Sequence, residues 1–362
     1  MAPGVALFTG FPGFIGRRLV RRLLADDGEL RVVALVEERM ADEAASAAAE
    51  IDADRIDIVT GDIGERRLGL SDDSYERLRA EMTTAYHLAA AYNLAVPVDV
   101  AQRVNVEGTG NVLELCLEAE RLERLNYVST AYVAGLRQGT IYEHELALGQ
   151  TFGNHYESTK FQAELWARSL MDRIPMTIYR PAIVVGDSRT GETQKFDGPY
   201  YMLRVIARAV RTRTPIPQFG RSSAPFNVVP VDFVVDALAA GAADPAAAGE
   251  TLHLVDPDAA SAADVLRTLA REYAGKQPGL RLPAGLVSES LRLKAVRDLF
   301  EGAPRESIRY LNHKARYDTR RAETVLGRQG LRCPPLDEYV GPMVSFFRSH
   351  ENDASFRPAG TA

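Results

Sequence analysis

Apolar positions in the first half of the chain fall into short unbroken runs, separated by stretches in which they recur every third or fourth residue. Val5–Thr9, Arg31–Val36 (RVVALV), Ile56–Thr60, Ala85–Ala89 and Arg124–Ser129 are such runs, each bounded by turn residues, the pattern of strands buried on both faces. Between them, Arg17–Ala25 puts Leu19, Leu23 and Leu24 on one helical face. Helical spacing continues over Asn105–Glu120 and Tyr156–Ile174, and a further strand follows at Met176–Tyr179. Strands alternating with helices in this way predict an α/β fold, a doubly wound parallel sheet wrapped by helices.

The pattern changes after Arg180-Pro181. Residues 186–226 are rich in Gly, Pro and Arg and read as loops around a substrate. Phe226–Val235 (FNVVPVDFVV) reads as a return to the sheet, followed by a helix at Val235–Ala243. A smaller, mostly helical region spans 257–350. The expected organisation is therefore discontinuous: a sheet domain of residues 1–185 plus 227–255, a substrate cap of 186–226 plus 256–350, and a flexible tail at 351–362. Within the cap, 283–302 spaces Val287, Leu291, Ala295 and Leu299 at four-residue intervals, an amphipathic helix suited to core packing, to roofing an acyl tunnel or to peripheral contact with a membrane.

Composition narrows the function classes. With 362 residues, 49 acidic and 43 basic, the chain carries a net charge of −6, which argues against nucleic acid as a partner. Cys116 and Cys333 are the only cysteines, too few for a disulfide framework or a four-cysteine zinc site. The six histidines show no ligand spacing such as H-x-x-x-H, so no metal is expected. No apolar run reaches 18 residues and the N-terminus has no basic leader, so the expectation is a cytoplasmic protein.

Candidate chemistry begins at residue 10. Gly10, Gly13 and Gly16 (GFPGFIG) lie between the first strand and the first helix. There they permit a tight turn, close approach of backbone N–H groups to a pyrophosphate, and packing of helix on strand. Glu37, 21 residues after Gly16 and just past the second strand, is placed to accept hydrogen bonds from a ribose and to repel a 2′-phosphate. That favours NAD(H), although Arg39 two residues on can pair with such a phosphate. Tyr156 and Lys160 lie one helical turn apart, and Thr130 ends the fifth strand. A lysine beside a tyrosine lowers the phenol pKa towards neutrality, and the threonine can share a hydrogen bond to a carbonyl oxygen as hydride arrives.

TGFPGFIG, GDI at 61–63, HLAA at 87–90, VNVEGT at 104–109, STAY at 129–132, YESTK at 156–160 and RPAIVVG at 180–186 together resemble the extended short-chain dehydrogenase/reductases over roughly the first 255 residues. GFPGFIG, YHLAAAYNL, VNVEGT and NVVPVDFVVDAL are most similar to the fatty acyl-CoA reductase and thioester-reductase branch, the male-sterility type. The resemblance implies a Rossmann-type sheet and catalytic roles for Thr130, Tyr156 and Lys160. It implies dinucleotide contacts at Gly10, Phe11, Pro12, Gly13, Phe14, Ile15, Gly16, Asp62, Ile63, Leu88, Ala89, Ala90, Asn105, Tyr156, Lys160, Pro181 and Ile183, beside Glu37 and Arg39. The branch often carries an arginine where this chain has Glu37, so its usual NADPH preference is in question and NADH is narrowly favoured.

Tyr92 and Asn93, just past the fourth strand, and Tyr132 are candidate substrate contacts. The expected function is NAD(P)H-dependent reduction of a carbonyl, in its sharpest form an acyl thioester on coenzyme A or an acyl carrier protein. Nucleotide-sugar epimerisation or dehydration shares the fold and the Thr–Tyr–Lys set. A dehydratase would be expected to carry acidic residues after Thr130, where this chain has Ala131 and Tyr132. A non-catalytic NAD(P)-sensing protein would lack the Tyr or Lys that is present here. The two long helices around 104–120 and 156–174 suit a homodimer interface.

Overall fold

The structure, a computed structural model, describes residues 4–92, 96–219, 224–282 and 310–356. Its centre is a seven-stranded sheet of β1 (Val5–Thr9), β2 (Arg31–Val36), β3 (Ile56–Thr60), β4 (Thr84–His87), β5 (Arg124–Val128), β6 (Met176–Pro181) and β7 (Thr251–Leu254). The spatial order is β3-β2-β1-β4-β5-β6-β7 with every pairing parallel. The chain reverses its direction of travel across the sheet between β1 and β4, so the carboxyl ends of these two strands frame the crevice where ligands of such sheets bind. In register, Thr9 lies opposite Leu35 on one side and His87 on the other.

Side chains leave the strands alternately, and each set builds its own core. Ala6, Phe8, Val32, Ala34 and Val36 pack with α1 (Phe14–Asp26), α2 (Ala41–Ile51) and the later helix α7 (Val231–Ala243). Leu7, Val33, Leu35, Leu125 and Ile178 pack on the other face with α3 (Asp72–Glu81) and α4 (Gly108–Glu118), and Ala167 of α5 (His155–Arg168) joins them. The apolar runs are unbroken because both faces of the sheet are covered.

A second core lies beside the sheet, where α6 (Tyr200–Arg211), α8 (Ala262–Ala274) and α10 (Leu336–His350) pack through Leu203, Ile206, Val265, Leu269, Tyr339 and Phe347. The loops expected over 186–226 thus contain a helix. Its apolar face (Tyr200, Leu203, Ile206) has helical spacing that the surrounding Gly, Pro and Arg residues obscure. Val228–Pro230 pairs with Ile183–Val185 and not with the central sheet.

Residues assigned to the cap are divided between the two cores. Ala315–Tyr317 pairs with Gly139–Ile141, and α9 (Arg320–Leu326) buries Ala322, Val325 and Leu326 in the sheet-domain core. The expected tail is packed over its described part: Phe356 stacks on Phe196 at 4.8 Å, and Phe196 N donates to Phe356 O. The amphipathic helix read at 283–302 lies outside the described residues.

Candidate active site

The glycine turn fills the gap between β1 and β4. Gly10 adopts φ +90°, and a Cβ there would stand 2.9 Å from the backbone nitrogen of Ala89. A Cβ on Gly16 would stand 2.4 Å from Gly10 O, and one on Gly13 2.9 Å from the same oxygen. Only glycines let the turn close this tightly, and no side chain caps the N-terminus of α1 behind it. The turn therefore has the form of a cradle for a dinucleotide pyrophosphate, with helix N–H groups directed outward. Phe11 and Pro12 are buried, leaving only backbone to face a ligand, whereas Phe14 and Ile15 are half-buried.

A buried chain of hydrogen bonds fixes the β4 side of the crevice. Burial pushes the His87 imidazole down to about 3, so it is neutral. Thr109 donates to Asn105 O, which makes its oxygen the acceptor for His87 Nε2–H at 3.0 Å. Nδ1 then accepts from Thr9 Oγ1 at 2.8 Å, and Thr9 Oγ1 accepts from Ala89 N at 3.3 Å. This tautomer follows from the network. The expected strand Ala85–Ala89 ends at His87 because Leu88–Ala90 turn out, half-buried, towards the crevice.

Three expected dinucleotide contacts hold protein groups as well. Asn105, in a π-helical turn at Gln102–Glu107, accepts from Ala91 N at 2.8 Å and donates to Ala91 O and Thr159 Oγ1. Its amide thus ties the chain after β4 to α5. Asp62 accepts from Gly64 N at 2.8 Å and pairs with Arg103 at 2.6 Å. Glu37 is paired with Arg39 at 2.6 Å. Both side chains are exposed, so the carboxylate expected to face the ribose and the guanidinium expected to pair with a 2′-phosphate stand against each other.

Thr130, Tyr156 and Lys160 meet beyond the end of β5. Thr130 is buried, accepts from Tyr132 N at 3.3 Å and donates to Pro181 O at 3.5 Å. Burial pushes the Tyr156 phenol up to about 12, with Thr130 pulling it down and Glu157 raising it. Burial pulls the Lys160 ammonium down to about 7, against the opposing effect of Glu164. Lys160 donates to Val128 O at 2.8 Å and stands 4.6 Å from the centre of the Tyr127 ring. The lysine therefore does not lower the tyrosine as its spacing suggests. Lys160 is buried and Tyr156 half-buried, and desolvation favours the neutral form of each.

The residues that hold this set were only partly legible beforehand. Glu164, one turn beyond Lys160, is fully buried and forms a bidentate pair with buried Arg180 of β6. Although burial raises it, Arg180, Arg168 and Ser129 keep the Glu164 carboxyl below its usual range. The i, i+4 spacing of Lys160 and Glu164 signals one helix face, but not the partner 16 residues away. Pro181 is buried beside Thr130 and Ile183 half-buried against the cap core. Tyr92 is exposed and accepts from Lys195 Nζ at 2.5 Å. Tyr132 is buried beneath Tyr310. Asn93 lies outside the described residues. Among those described, no group of three or more His, Cys, Asp or Glu could hold a metal ion, and no helix is long and apolar enough to cross a membrane.

An NAD-binding family model described as "Male sterility protein" matches residues 8–238. The chain is 30% identical over 298 residues to the non-canonical nonribosomal peptide synthetase FrzA of a Cladobotryum species, covering 76% of this chain and 28% of that protein. It is 26% identical over 280 residues to the fatty acyl-CoA reductase wat of Drosophila melanogaster, covering 65% of this chain and 53% of that protein. The crystal structure of the terminal R domain from the myxalamid PKS-NRPS biosynthetic pathway superposes with a TM-score of 0.81 at 27% identity, covering 98% of this chain and 93% of that one. Of the peptide synthetases it resembles, the chain spans 28% of the length or less.

Proposed function

The chain belongs to the male sterility protein family of NAD-binding domains, and from that premise we propose that it is an NAD(P)H-dependent reductase of acyl thioesters, carried on coenzyme A or on a carrier protein. The observation that carries this reading is the meeting of Thr130, Tyr156 and Lys160 beside a glycine turn that a Cβ would obstruct. That Thr130 follows the carboxyl end of β5, the neighbour of β4 in a sheet of the extended short-chain reductase fold, supports the reading.

Gly10, Gly13 and Gly16 would hold the pyrophosphate of NAD(P)H, and Lys160, which also donates to Val128 O, would take the nicotinamide ribose. Bound NAD(P)H supplies the hydride. Thr130 and Tyr156 donate to the carbonyl oxygen as negative charge develops there. Tyr156, held protonated by desolvation, delivers its proton to that oxygen; when the C–S bond breaks and the carbonyl re-forms, that proton returns to Tyr156 and the departing thiolate takes one from solvent. The products are an aldehyde and a free thiol; a second hydride and proton would give the alcohol. With Glu37 and Arg39 paired, both dinucleotides are accepted and NADH is narrowly preferred. The sheet domain of 1–185 and 227–255 supplies this chemistry, and the α6, α8 and α10 core supplies the cap.

The test is oxidation of NADH and NADPH by the purified chain against acyl-CoAs, acyl-pantetheine thioesters, aldehydes, ketones and UDP-sugars. Thioester-dependent oxidation with stoichiometric thiol release is the expected result. Turnover of UDP-sugars alone would place the chain with the epimerases.

A further inference from the structure

Immediately after Tyr156 stands a buried carboxylate whose partner comes from the far end of the chain. Glu157 Oε1 accepts from the Tyr310 hydroxyl at 2.6 Å and from Asn154 Nδ2 at 3.2 Å, and Oε2 accepts from Gly153 N at 2.7 Å. Asn154, the N-cap of α5, also donates to the Tyr310 hydroxyl at 3.0 Å. So held, the Tyr310 ring meets the ring of Tyr132 edge-on, with centroids 4.5 Å apart. Tyr132 lies two residues beyond Thr130 and within electrostatic reach of Tyr156. Around Glu157 and Tyr310 opens a cavity of about 230 Å³, whose lining includes Asn154, His313 and Lys314.

We propose that Tyr310 forms the wall of the pocket for the acyl group next to the reacting carbonyl, and that Glu157 is the positioning residue that holds it there. This deepens the thioester-reductase reading and rests on it. The physical case is the cost of the arrangement. A carboxylate buried beside the reacting centre opposes the charge that develops on the substrate oxygen, and burying it is unfavourable unless it is well partnered. Its three partners fix one aromatic ring at one angle over another. An edge-on tyrosine pair presents a stiff, apolar, shape-defining surface, suited to an uncharged acyl group of limited width. The hydrogen bond to a charged acceptor is also of the stronger kind, so the wall stays closed while substrate enters.

Tyr310→Phe removes only the hydroxyl, Tyr310→Ala the ring, and Glu157→Gln the charge, so the three separate latch from wall. In hydrogen exchange, Tyr310→Phe is expected to speed exchange of the 311–317 amides about tenfold, the effect of one lost bond to a charged group. In kinetics, Tyr310→Ala should raise KM for a short straight acyl-CoA and lower it for a branched or aromatic one, an about tenfold shift in their ratio, with kcat and the dinucleotide Kd unchanged. Glu157→Gln should move the same ratio in the same direction by less. Unchanged exchange in Tyr310→Phe, or an unchanged KM ratio in Tyr310→Ala, would overturn the proposal. So would an equal loss for all substrates accompanied by weaker dinucleotide binding. Because exchange is read without substrate, absence of thioester turnover in the wild type would count against the reaction assignment and leave the latch to be judged on its own.

Discussion

At the scale of single residues, the site works by burial as much as by placement. Tyr156 stays protonated to about pH 12 and Lys160 loses its proton near 7, so the pair is an acid with a weakly held cation behind it. Tyr156→Phe should lower kcat by roughly 10²–10⁴-fold, the contribution of a positioned general acid, with dinucleotide Kd within about twofold of wild type by titration. A variant retaining more than about a tenth of wild-type kcat, where chemistry limits the rate, would assign the acid elsewhere. Cofactor choice is also a residue-scale question. Glu37→Ala removes the carboxylate that now occupies Arg39 and frees the guanidinium for a 2′-phosphate. The ratio of kcat/KM for NADPH to that for NADH should rise about tenfold, equivalent to ~1.4 kcal/mol; an unchanged ratio would show that the ribose site lies away from this pair.

Elements act by fixing where those residues stand. The glycine turn joins β1 to α1 only because three positions lack a side chain, and Gly13→Val would force its Cβ against Gly10 O. That variant should lose dinucleotide binding at least tenfold, about 1.4 kcal/mol, while the far-ultraviolet circular dichroism stays that of the wild type. On the other side of the site, Arg180 of β6 clamps Glu164 of α5 and reaches the carbonyls of Glu143 and Glu145. Arg180→Met removes the bidentate partner of a buried carboxylate, leaving it Arg168 and Ser129, and should cost about 3 kcal/mol in chemical denaturation. A cost below 1 kcal/mol would mean that α5 is held by its apolar face alone.

For the whole molecule, buried ionisable groups set the response to acid. Burial depresses His87 and His253 to about 3, and raises Glu143 to about 7. Between pH 6.5 and 5 the unfolded chain binds protons on both histidines that the folded chain refuses, which lowers stability as pH falls. Over the same interval the folded chain already holds a proton on Glu143 that the unfolded chain lacks, an effect of opposite sign. Two protons against one leave a net slope of about 1.4 kcal/mol per pH unit, with stability lost towards acid. Denaturant midpoints at pH 6.5 and 5.0 measure it, and a flat profile would show that these groups titrate normally. Lys160 contributes separately: its depressed pKa makes stability rise between about pH 7 and 10.5.

The linear pattern by itself determined the sheet, the glycine turn and the sharing of one helix by Tyr156 and Lys160. Strands buried on both faces leave unbroken apolar runs, a tight turn demands glycine, and Tyr156 and Lys160 share a helix, so all three are local signals. Tertiary structure alone decided the rest. Only folding brings Arg180 of β6 onto Glu164 of α5. It also carries α9 back to the sheet core, because Ala322, Val325 and Leu326 are too short an apolar stripe to reveal which core they join. The strand read through Ala89 stops at His87 because a buried imidazole fixes that end. Tyr310 reaches Glu157 across 153 residues of chain, and no spacing rule spans that distance. Local sequence encodes conformation and facing; desolvation and long-range partnership, which set the pKa values and the pocket wall, exist only once the chain has closed on itself.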